Sequence, residues 1–354
     1  MSNLDLFARQ PAEWLRSSGP ESEIVISSRL RLARNVRGFP FLQKLTAEQH
    51  DEIVDLMEDT VQKTDVLKDA TYFRYRDLTD LDRQFLVERH LISREHAGEK
   101  GERAVSITRN EVVSLMVLEE DHLRLQAFQS GFNLQEAWRI VGMIDDSLQK
   151  SVEFSFNPTL GYLTSCPTNV GTGLRASCML HLPSLVLTKQ VHKVLQALSK
   201  LNLAARGLYG EGTQATGNFF QFSNQMTLGQ KEEEIIENLA AVIRQVVEHE
   251  KEARQYLRQK RKGKFEDQIW RAFGALKSAR AISSSEATQL LSLVQLGVLM
   301  ELLDPGLTRQ DLNTLFLLIQ PAHLQKISDK TLNSSDRDIA RADLIRQHLS
   351  KVQL

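Results

Sequence analysis

Hydrophobic and polar positions change their period several times over the first 225 residues, which predicts a mixture of strands and helices. Residues 24–32 alternate apolar and polar from Ser28 onward, as expected for a strand with one buried face. Short apolar runs at Ala104–Thr108 and Val112–Leu118 predict two further strands. Residues 134–148 carry apolar side chains three to four positions apart, which predicts an amphipathic helix.

Helix starts are marked by short capping sequences. Residues 46–49 (Thr-Ala-Glu-Gln) form a capping box that predicts a helix running to about Lys63. Similar boxes at 283–286 and 308–311 precede two apolar helices, and Pro321 is expected to stop the second.

The pattern changes near Gly229, after which it predicts helices only. A chain of 354 residues is long for one core, so two domains are expected. The predicted fold class is α+β. Residues 1–228 are expected to form a domain with an antiparallel sheet flanked by helices, and residues 229–354 are expected to form an all-α domain. The basic run Lys260–Lys264 is interpreted as a solvated helix end, with a docking patch as the alternative.

Composition narrows the functional class. A net charge of −1, from 44 basic and 45 acidic residues, argues against a nucleic-acid coat or a membrane-surface protein. The N-terminus lacks signal-peptide features, and the longest apolar run is too short and interrupted to span a bilayer. Two cysteines, Cys166 and Cys178, cannot form a disulfide framework. We therefore expect a cytoplasmic protein without direct nucleic-acid or membrane contacts.

Candidate chemistry concentrates at Thr164–Ser177. A cysteine precedes a turn there, and a glycine- and threonine-rich loop and an arginine follow. Glycine lets backbone N–H groups approach an anion, and arginine matches phosphate with a planar set of donors. The Cys166 sulfur could act as a nucleophile or as a thiolate that holds a cation.

Several arginines lie in polar or glycine-containing contexts, as binding of a polyphosphate requires. Arg29 and Arg31 are two residues apart on a predicted strand, so both side chains should point to one face. Any one arginine could be an ordinary surface residue, but the whole set indicates a phosphate site. Its members are Arg29, Arg31, Arg124, Arg175 and Arg206.

Three adjacent carboxylates, Glu119, Glu120 and Asp121, follow a predicted strand. They could mark a helix N-terminus, where acidic groups favour the helix dipole. They could instead hold a guanidinium and remove its proton, because an arginine side chain has a pKa above 12. No Cys and His spacing typical of a metal site is present.

Four strings occur in the same order as in the phosphagen (guanidino) kinases, which move phosphate between ATP and a guanidinium nitrogen. They are Ser27-Ser28-Arg29-Leu30-Arg31, Glu119–Arg124, Cys166–Ser177 and Arg206–Glu211. The resemblance covers about residues 20–225. It implies ATP and Mg²⁺ as cofactors.

The resemblance also implies roles for single residues. Glu120 is similar to the catalytic base, Cys166 to the thiolate against the guanidinium, and Glu211 to the second carboxylate on the acceptor. No protein ligand for a metal is implied. The residues implied to bind the nucleotide are Ser27, Ser28, Arg29, Leu30, Arg31, His90, Arg124, Arg175, Ala176, Ser177, Arg206 and Gly207.

Two differences from the phosphagen kinases narrow the resemblance to one group within that family. The first motif already begins at residue 27, so the N-terminal helical domain of those kinases is not expected, and the helical region after 229 is foreign to them. Both features are similar to the bacterial protein arginine kinases of the McsB type. Residues 336–342 also match their Arg-Asp-x-x-Arg-Ala motif. That match implies a phosphoarginine pocket, although a solvated helix face is the alternative; the pocket residues are Arg337, Asp338, Arg341 and Ala342.

The function implied is transfer of the ATP γ-phosphate to arginine side chains of proteins, including a stress-gene repressor. The resemblance further implies an activator of the McsA type, a Clp-type unfoldase and protease that receives marked proteins, and a homodimer or higher homo-oligomer. Two alternatives stay open. One is a small-molecule arginine or creatine kinase; the expected absence of the N-terminal helical domain, which should leave the acceptor site more open, argues against it. The other is a catalytically dead phosphoarginine-binding adaptor, which intact Glu120 and Cys166 argue against.

Overall fold

The structure, a computed structural model, describes residues 4, 7–8, 10–98, 101–207, 216–260, 262–303 and 308–350. Within these ranges the strands are β1 (Val25–Arg34), β2 (Ala70–Arg74), β3 (Ala104–Thr108), β4 (Val113–Val117), β5 (Leu123–Ser130), β6 (Phe156–Asn157), β7 (Gly161–Tyr162), β8 (Leu174–His181), β9 (Leu203–Gly207) and β10 (Phe219–Asn224). The α-helices are α1 (Ala47–Lys63), α2 (Asp80–Glu88), α3 (Arg94–Gly98), α4 (Leu134–Gln149), α5 (Pro183–Leu187), α6 (Val191–Lys200), α7 (Glu232–Lys260), α8 (Lys262–Ser278), α9 (Ser284–Leu299), α10 (Arg309–Leu318), α11 (Pro321–Ser328) and α12 (Ser334–Leu349).

Eight strands form one sheet in the order β2-β3-β4-β5-β1-β8-β10-β9, and every neighbouring pair is antiparallel. The short strands β6 and β7 form a separate hairpin. Helices after β10 make up the C-terminal region. The predicted α+β class with an antiparallel sheet is confirmed.

One face of the sheet is covered by three helices, α1, α4 and α7. Their apolar side chains join the inward residues of β1, β5 and β8 in a single core. In α4 that stripe includes Leu134, Val141 and Leu148, at the spacing that gives a helix one apolar side. Burial of this stripe fixes the sheet against its helical layer.

The other face of the sheet is divided. At one end it packs against the C-terminal helices α8, α9, α10 and α12 through Phe128, Met179 and Phe219. Towards β3 and β4 it packs against α2, through side chains such as Phe85. Between these two contacts, polar and cationic side chains point away from the sheet, and this part of the face becomes the candidate site.

Predicted boundaries can be compared directly. The capping boxes at Thr46 and Thr308 are confirmed, since each hydroxyl accepts from the third backbone N–H of its helix and the third side chain bonds back. The helix that begins after Thr308 ends before Pro321, as predicted: α10 ends at Leu318, and Pro321 is the first residue of the next helix, α11. Proline is favoured at that position because the first N–H of a helix has no partner within the helix.

Helix α7 belongs to the core of the sheet, although the sequence assigns it to the second domain. Ile236, Leu239 and Ile243 are fully buried among the sheet residues. The domain boundary at 228/229 stays a prediction. None of the helices in the described ranges is both long and apolar enough to cross a bilayer.

A buried arginine fastens the end of β1 to the surrounding layers. Arg34 is 3% exposed, and its Nε and Nη2 donate to the carboxylate of Asp145 on α4 at 3.1 and 2.8 Å. Its Nη1 donates to the carbonyls of Ala33 and Thr172 at 2.9 and 3.0 Å. This side chain therefore links a strand, a helix and the glycine-containing loop before β8.

Replacing Arg34 by Met should lower the free energy of unfolding by about 3–5 kcal/mol, because Asp145 would keep a buried charge without its partner. Urea unfolding measures the loss. Arg37→Met is the control, since the Arg37–Glu153 ion pair is exposed and should contribute little. An equal loss in both variants would contradict a special role for the buried pair.

Candidate active site

The pairing register places the five predicted arginines on one face of the sheet. Arg31 lies opposite Arg175 on β8 and opposite Gln126 on β5. Arg29, two residues earlier, lies opposite Ser177 and Phe128, and its guanidinium is 5.5 Å from the centre of the Phe128 ring. Directly opposed residues point to the same side of a sheet.

The other two arginines, Arg124 and Arg206, lie on either side of strands β1 and β8. Arg124 is paired with Ala33, which shares the face of Arg29 and Arg31. Arg206 on β9 is paired with Gln221 on β10, which in turn lies opposite Met179. The arginines thus come from four strands of one sheet, and their positions are set by backbone pairing.

Crowding of like charges contributes to a lowered pKa at three of these side chains. Burial, together with the neighbouring cations Arg124 and Arg175, lowers the pKa of Arg29 to about 9. Burial and the same neighbours also lower the pKa of Arg31. Burial and the charge of Arg206 lower the pKa of Arg175. Burial and mutual repulsion therefore make positive charge on this face unfavourable for the folded protein.

Few protein groups neutralise this charge. Of the five arginines, Arg124 alone has a carboxylate within ion-pair distance among the described residues, and that carboxylate is Glu119. No described group hydrogen-bonds the buried Nε of Arg31. A surface of this kind is arranged for an anion with several negative oxygens.

The three acidic residues lie in the turn between β4 and β5, so a helix N-terminus does not explain them. Glu119 is nearly buried, pairs with Arg124 and accepts from Ser93 Oγ at 2.7 Å. Asp121 Oδ1 accepts from Ser165 N at 2.6 Å and from Asn35 Nδ2 at 2.7 Å. Two of the three carboxylates are thus committed to protein partners.

Glu120, between them, is half-buried and faces the cysteine loop. Burial raises the pKa of its carboxyl, and the charges of Asp121 and Glu119 act in the same direction. The side chain of Cys166 lies beside it and acts to lower the same pKa, and the Arg175 guanidinium is near both side chains. The structure therefore brings Glu120 and Cys166 together at the edge of the arginine face.

The loop that carries Cys166 is fixed by short hydrogen bonds. Thr164 Oγ1 donates to the Cys166 carbonyl at 2.8 Å, and the Cys166 Sγ is 3.0 Å from Thr168 Oγ1. Gly171 has φ of +113°, and a Cβ there would lie 2.7 Å from the Thr227 carbonyl oxygen. Close backbone packing therefore requires glycine at this position.

Some residues predicted to bind the nucleotide lie elsewhere. Ser28, Leu30 and Ala176 belong to the opposite face, where their side chains are buried under the helical layer. The Ser28 hydroxyl bonds to the Gly131 carbonyl and the Asn133 N–H. Any contact of these three with a ligand on the arginine face would be through backbone. Gly207, at the end of β9, is paired with Phe220.

Ser27, Ser177 and His90 lie on or beside the arginine face. Ser27 and Ser177 are buried, and the Ser177 hydroxyl donates to the Arg29 carbonyl at 3.2 Å. The His90 ring is half-buried with its centroid 5.1 Å from the Trp14 ring. Burial, together with Arg29 and Arg94, lowers the pKa of His90 to about 3. His90 thus lies near Arg29, which is compatible with its predicted place at the nucleotide site. Glu211 lies outside the described residues.

The predicted phosphoarginine residues lie on α12, apart from the sheet. Arg341 is buried, and its Nε and Nη1 donate to the carbonyls of Ile319 and Ile282, each at 2.8 Å. Its Nη1 also pairs with Asp338. Arg337 and Asp338 are half-buried, whereas Ala342 is buried. The structure gives Arg341 a role in joining α12 to its neighbours, and the pocket stays a prediction.

Sequence reasoning missed the residues that support the acidic turn. Asn35, Ser93 and Arg103 are polar side chains that bond to this turn from three different segments. Asn35 could have been singled out from the sequence, because it directly follows the strand that carries Arg29 and Arg31.

Two family models match this chain. The ATP:guanido phosphotransferase C-terminal catalytic domain matches residues 52–253, and the protein-arginine kinase McsB C-terminal domain matches residues 262–354. A protein-arginine kinase of Symbiobacterium thermophilum is 47% identical over 98% of this chain and 99% of its own. One of Bacillus subtilis is 43% identical over 96% of this chain and 93% of its own.

Two solved structures of kinases have a similar fold. The substrate-free duplicated taurocyamine kinase from Schistosoma mansoni has a TM-score of 0.59 and 25% identity, over 74% of this chain. The chain spans 40% of the length of that duplicated protein. A lombricine kinase has a TM-score of 0.57 and 25% identity, over 70% of this chain and 72% of its own.

Replacing Arg31 by Met should keep or raise the thermal midpoint of the ligand-free protein, because a crowded buried cation is removed. The same change should weaken the stabilisation that wild type gains from tripolyphosphate, since bound ligand stabilises the folded state alone. Thermal unfolding with and without tripolyphosphate measures both effects. Arg37→Met, in an exposed ion pair, should keep the full response. An Arg31 variant that responds like wild type would exclude this arginine from the anion site.

Proposed function

Because the chain belongs to the protein-arginine kinase family of ATP:guanido phosphotransferases, we propose that it transfers the γ-phosphoryl group of ATP to arginine side chains of proteins. One observation carries this proposal at the level of the site. A half-buried carboxyl, Glu120, and a thiol, Cys166, lie next to each other at the edge of a sheet face lined with arginines. An anion and a guanidinium can therefore meet there.

The reaction joins a guanidinium nitrogen to the γ-phosphorus. The P–N bond forms while the bond from the γ-phosphorus to the bridging oxygen of ADP breaks, and that oxygen keeps the electron pair. The nitrogen loses one proton, which passes to the Glu120 carboxylate. The arginine face compensates the charge on the phosphate oxygens, as phosphoryl transfer requires.

Proton removal is the demanding step for this acceptor, because an arginine side chain has a pKa above 12. A carboxylate within reach is the natural base. We propose Glu120 for this role, Cys166 as a thiolate partner of the guanidinium, and Glu211 as a second carboxylate. Fixed negative groups on two sides would orient the planar guanidinium for attack.

ATP would lie on the arginine face, with Arg29, Arg31, Arg124, Arg175 and Arg206 around its phosphates. The described residues contain no group of three or more His, Cys, Asp or Glu side chains that could hold a metal ion. These residues do not fit a protein-held Mg²⁺, so we propose that Mg²⁺ enters as part of the nucleotide substrate, bound by phosphates and water.

The wider setting is also proposed from the family. It comprises a cytoplasmic stress-response role, substrates that include a stress-gene repressor, an activator of the McsA type, delivery to a Clp-type protease, and a homo-oligomer. The match of the C-terminal domain over residues 262–354 supports placing a phosphoarginine pocket at Arg337, Asp338, Arg341 and Ala342.

One experiment separates the candidate functions. The protein is incubated with γ-labelled ATP, Mg²⁺ and either free arginine or a denatured protein, and acid-labile phosphate is measured on each acceptor. Transfer to protein alone supports the proposal. Transfer to free arginine alone would indicate a small-molecule kinase, and binding of phosphoarginine without any transfer would indicate an adaptor.

Glu120→Gln keeps the size of the side chain and removes the base, so kcat should fall about 10²–10⁴-fold with ATP binding retained. Glu136→Gln is the control, because Glu136 is a surface residue of α4 paired with Arg139. Near wild-type turnover of Glu120→Gln would show that another group takes the proton.

The pH dependence of kcat should show the raised pKa of Glu120. The base must be ionised, so activity should be lost as pH falls through the pKa of its carboxyl. Since burial raises that pKa, the acid limb should lie above the ordinary glutamate value of about 4.3. A pH–rate profile with its acid limb at the ordinary value would contradict this environment.

A further inference from the structure

Asn35 connects the two segments that carry the proposed base and thiol. It follows β1 directly and is 1% exposed, so its amide has no access to solvent. Its backbone carbonyl accepts from Ser155 N at 2.8 Å, which holds the main chain in place. A buried amide in this position must find its partners within the protein.

The side chain makes three hydrogen bonds. Nδ2 donates to Asp121 Oδ1 at 2.7 Å and to the Leu163 carbonyl at 3.0 Å. Oδ1 accepts from His122 N at 2.9 Å. Asp121 and His122 belong to the acidic turn, whereas Leu163 belongs to the segment that leads into Cys166.

The orientation of this amide is fixed by chemistry. A carboxylate and a carbonyl only accept, and a backbone N–H only donates, so the nitrogen and oxygen of Asn35 cannot exchange places. Both amide hydrogens and the oxygen are used. An aspartate of the same shape would lose two donations and face the carboxylate of Asp121.

The Asp121 carboxylate extends the connection. The oxygen that accepts from Asn35 also accepts from Ser165 N at 2.6 Å, one residue before Cys166. On the other side, Asp121 is one residue after Glu120. Hydrogen bonds therefore join the turn to the cysteine loop in two ways, directly through Asp121 and through the side chain of Asn35.

We propose that Asn35 is a positioning residue that sets the distance between Glu120 and Cys166 by joining the acidic turn to the cysteine loop. The inference rests on the proposed function for its catalytic meaning, but the geometric role can be tested without turnover. Asn35 is not proposed to contact ATP or the acceptor. It acts through Asp121, His122 and Leu163.

Asn35→Asp tests the role with an isosteric change. Small misplacements of reacting groups cost up to about 10²-fold in rate, so kcat should fall about 10–100-fold. The KM for ATP should change little, because the arginine face is held by the sheet. The rate of Cys166 alkylation by iodoacetamide at fixed pH should also change several-fold.

Asn313→Asp is the matched control. Asn313 is also buried, donates to Ser17 Oγ at 2.8 Å and accepts from Gln295 at 3.1 Å, but it lies on α10 in the C-terminal region. It should leave kcat and Cys166 alkylation at wild-type values. Equal changes in both aspartate variants would reduce Asn35 to a general stability role and overturn the proposal.

The exchanged pair Asn35→Asp/Asp121→Asn gives a rescue test. An amide at position 121 removes the repulsion between two carboxylates and can donate to a carboxylate at 35, but the atom that donates cannot accept from Ser165 N, so the bonds to Ser165 N and to the Leu163 carbonyl are lost. We expect this variant to recover part of the lost kcat and of the wild-type alkylation rate. Comparing the double variant with the two single variants then gives the coupling between positions 35 and 121. A double variant that shows no recovery would overturn the proposal.

Two further outcomes complete the test. If Asn35→Asp does not fold by circular dichroism, Asn35→Ser, which keeps one donor and one acceptor, should show a smaller loss of the same kind. Wild-type kcat and alkylation in Asn35→Asp or in Asn35→Ser would overturn the proposal. Absence of phosphotransfer by wild type would count against the proposed function, while the alkylation comparison would still decide the role of Asn35.

Discussion

The structure depends on keeping five arginines close together, although among the described residues only Arg124 pairs with a carboxylate. Each is held by a strand, and backbone hydrogen bonds between strands supply the rigidity that side-chain pairing would otherwise provide. The cost of this arrangement is offset by the apolar core on the opposite face of the same sheet. One face of the sheet therefore stabilises the fold, and the other face carries the arginines that we propose bind an anion.

Three consecutive carboxylates illustrate how local contacts separate chemical roles. Glu119 is paired with Arg124, and Asp121 is bonded to the cysteine loop, so neither is free to act on a ligand. Glu120 keeps a partly open side chain whose pKa is raised by burial. The two flanking acids also contribute to that shift. Adjacent residues of similar chemistry thus become a cation partner, a loop anchor and a candidate base.

Much of this fold could be predicted from the sequence, because periodicity and capping are local. The strand at Ala104–Thr108 and the helix that begins after Thr46 are found where predicted. The placement of Arg29 and Arg31 on the same face of the sheet followed from the two-residue period of a strand. The contribution of Asn35 could not be predicted, because its partners at 121 and 163 are distant in sequence. The membership of α7 in the sheet core was missed for the same reason, since an amphipathic pattern does not name the surface it covers.

The position of α7 has a consequence for biosynthesis. The sheet acquires its last strand by residue 224, but the core on its covered face lacks Ile236, Leu239 and Ile243 until the ribosome has delivered α7. Apolar surface on β8 and β10 would stay open to solvent during that interval. A nascent chain of this protein would therefore expose apolar surface between the synthesis of β10 and the synthesis of α7, and such surface is prone to aggregation.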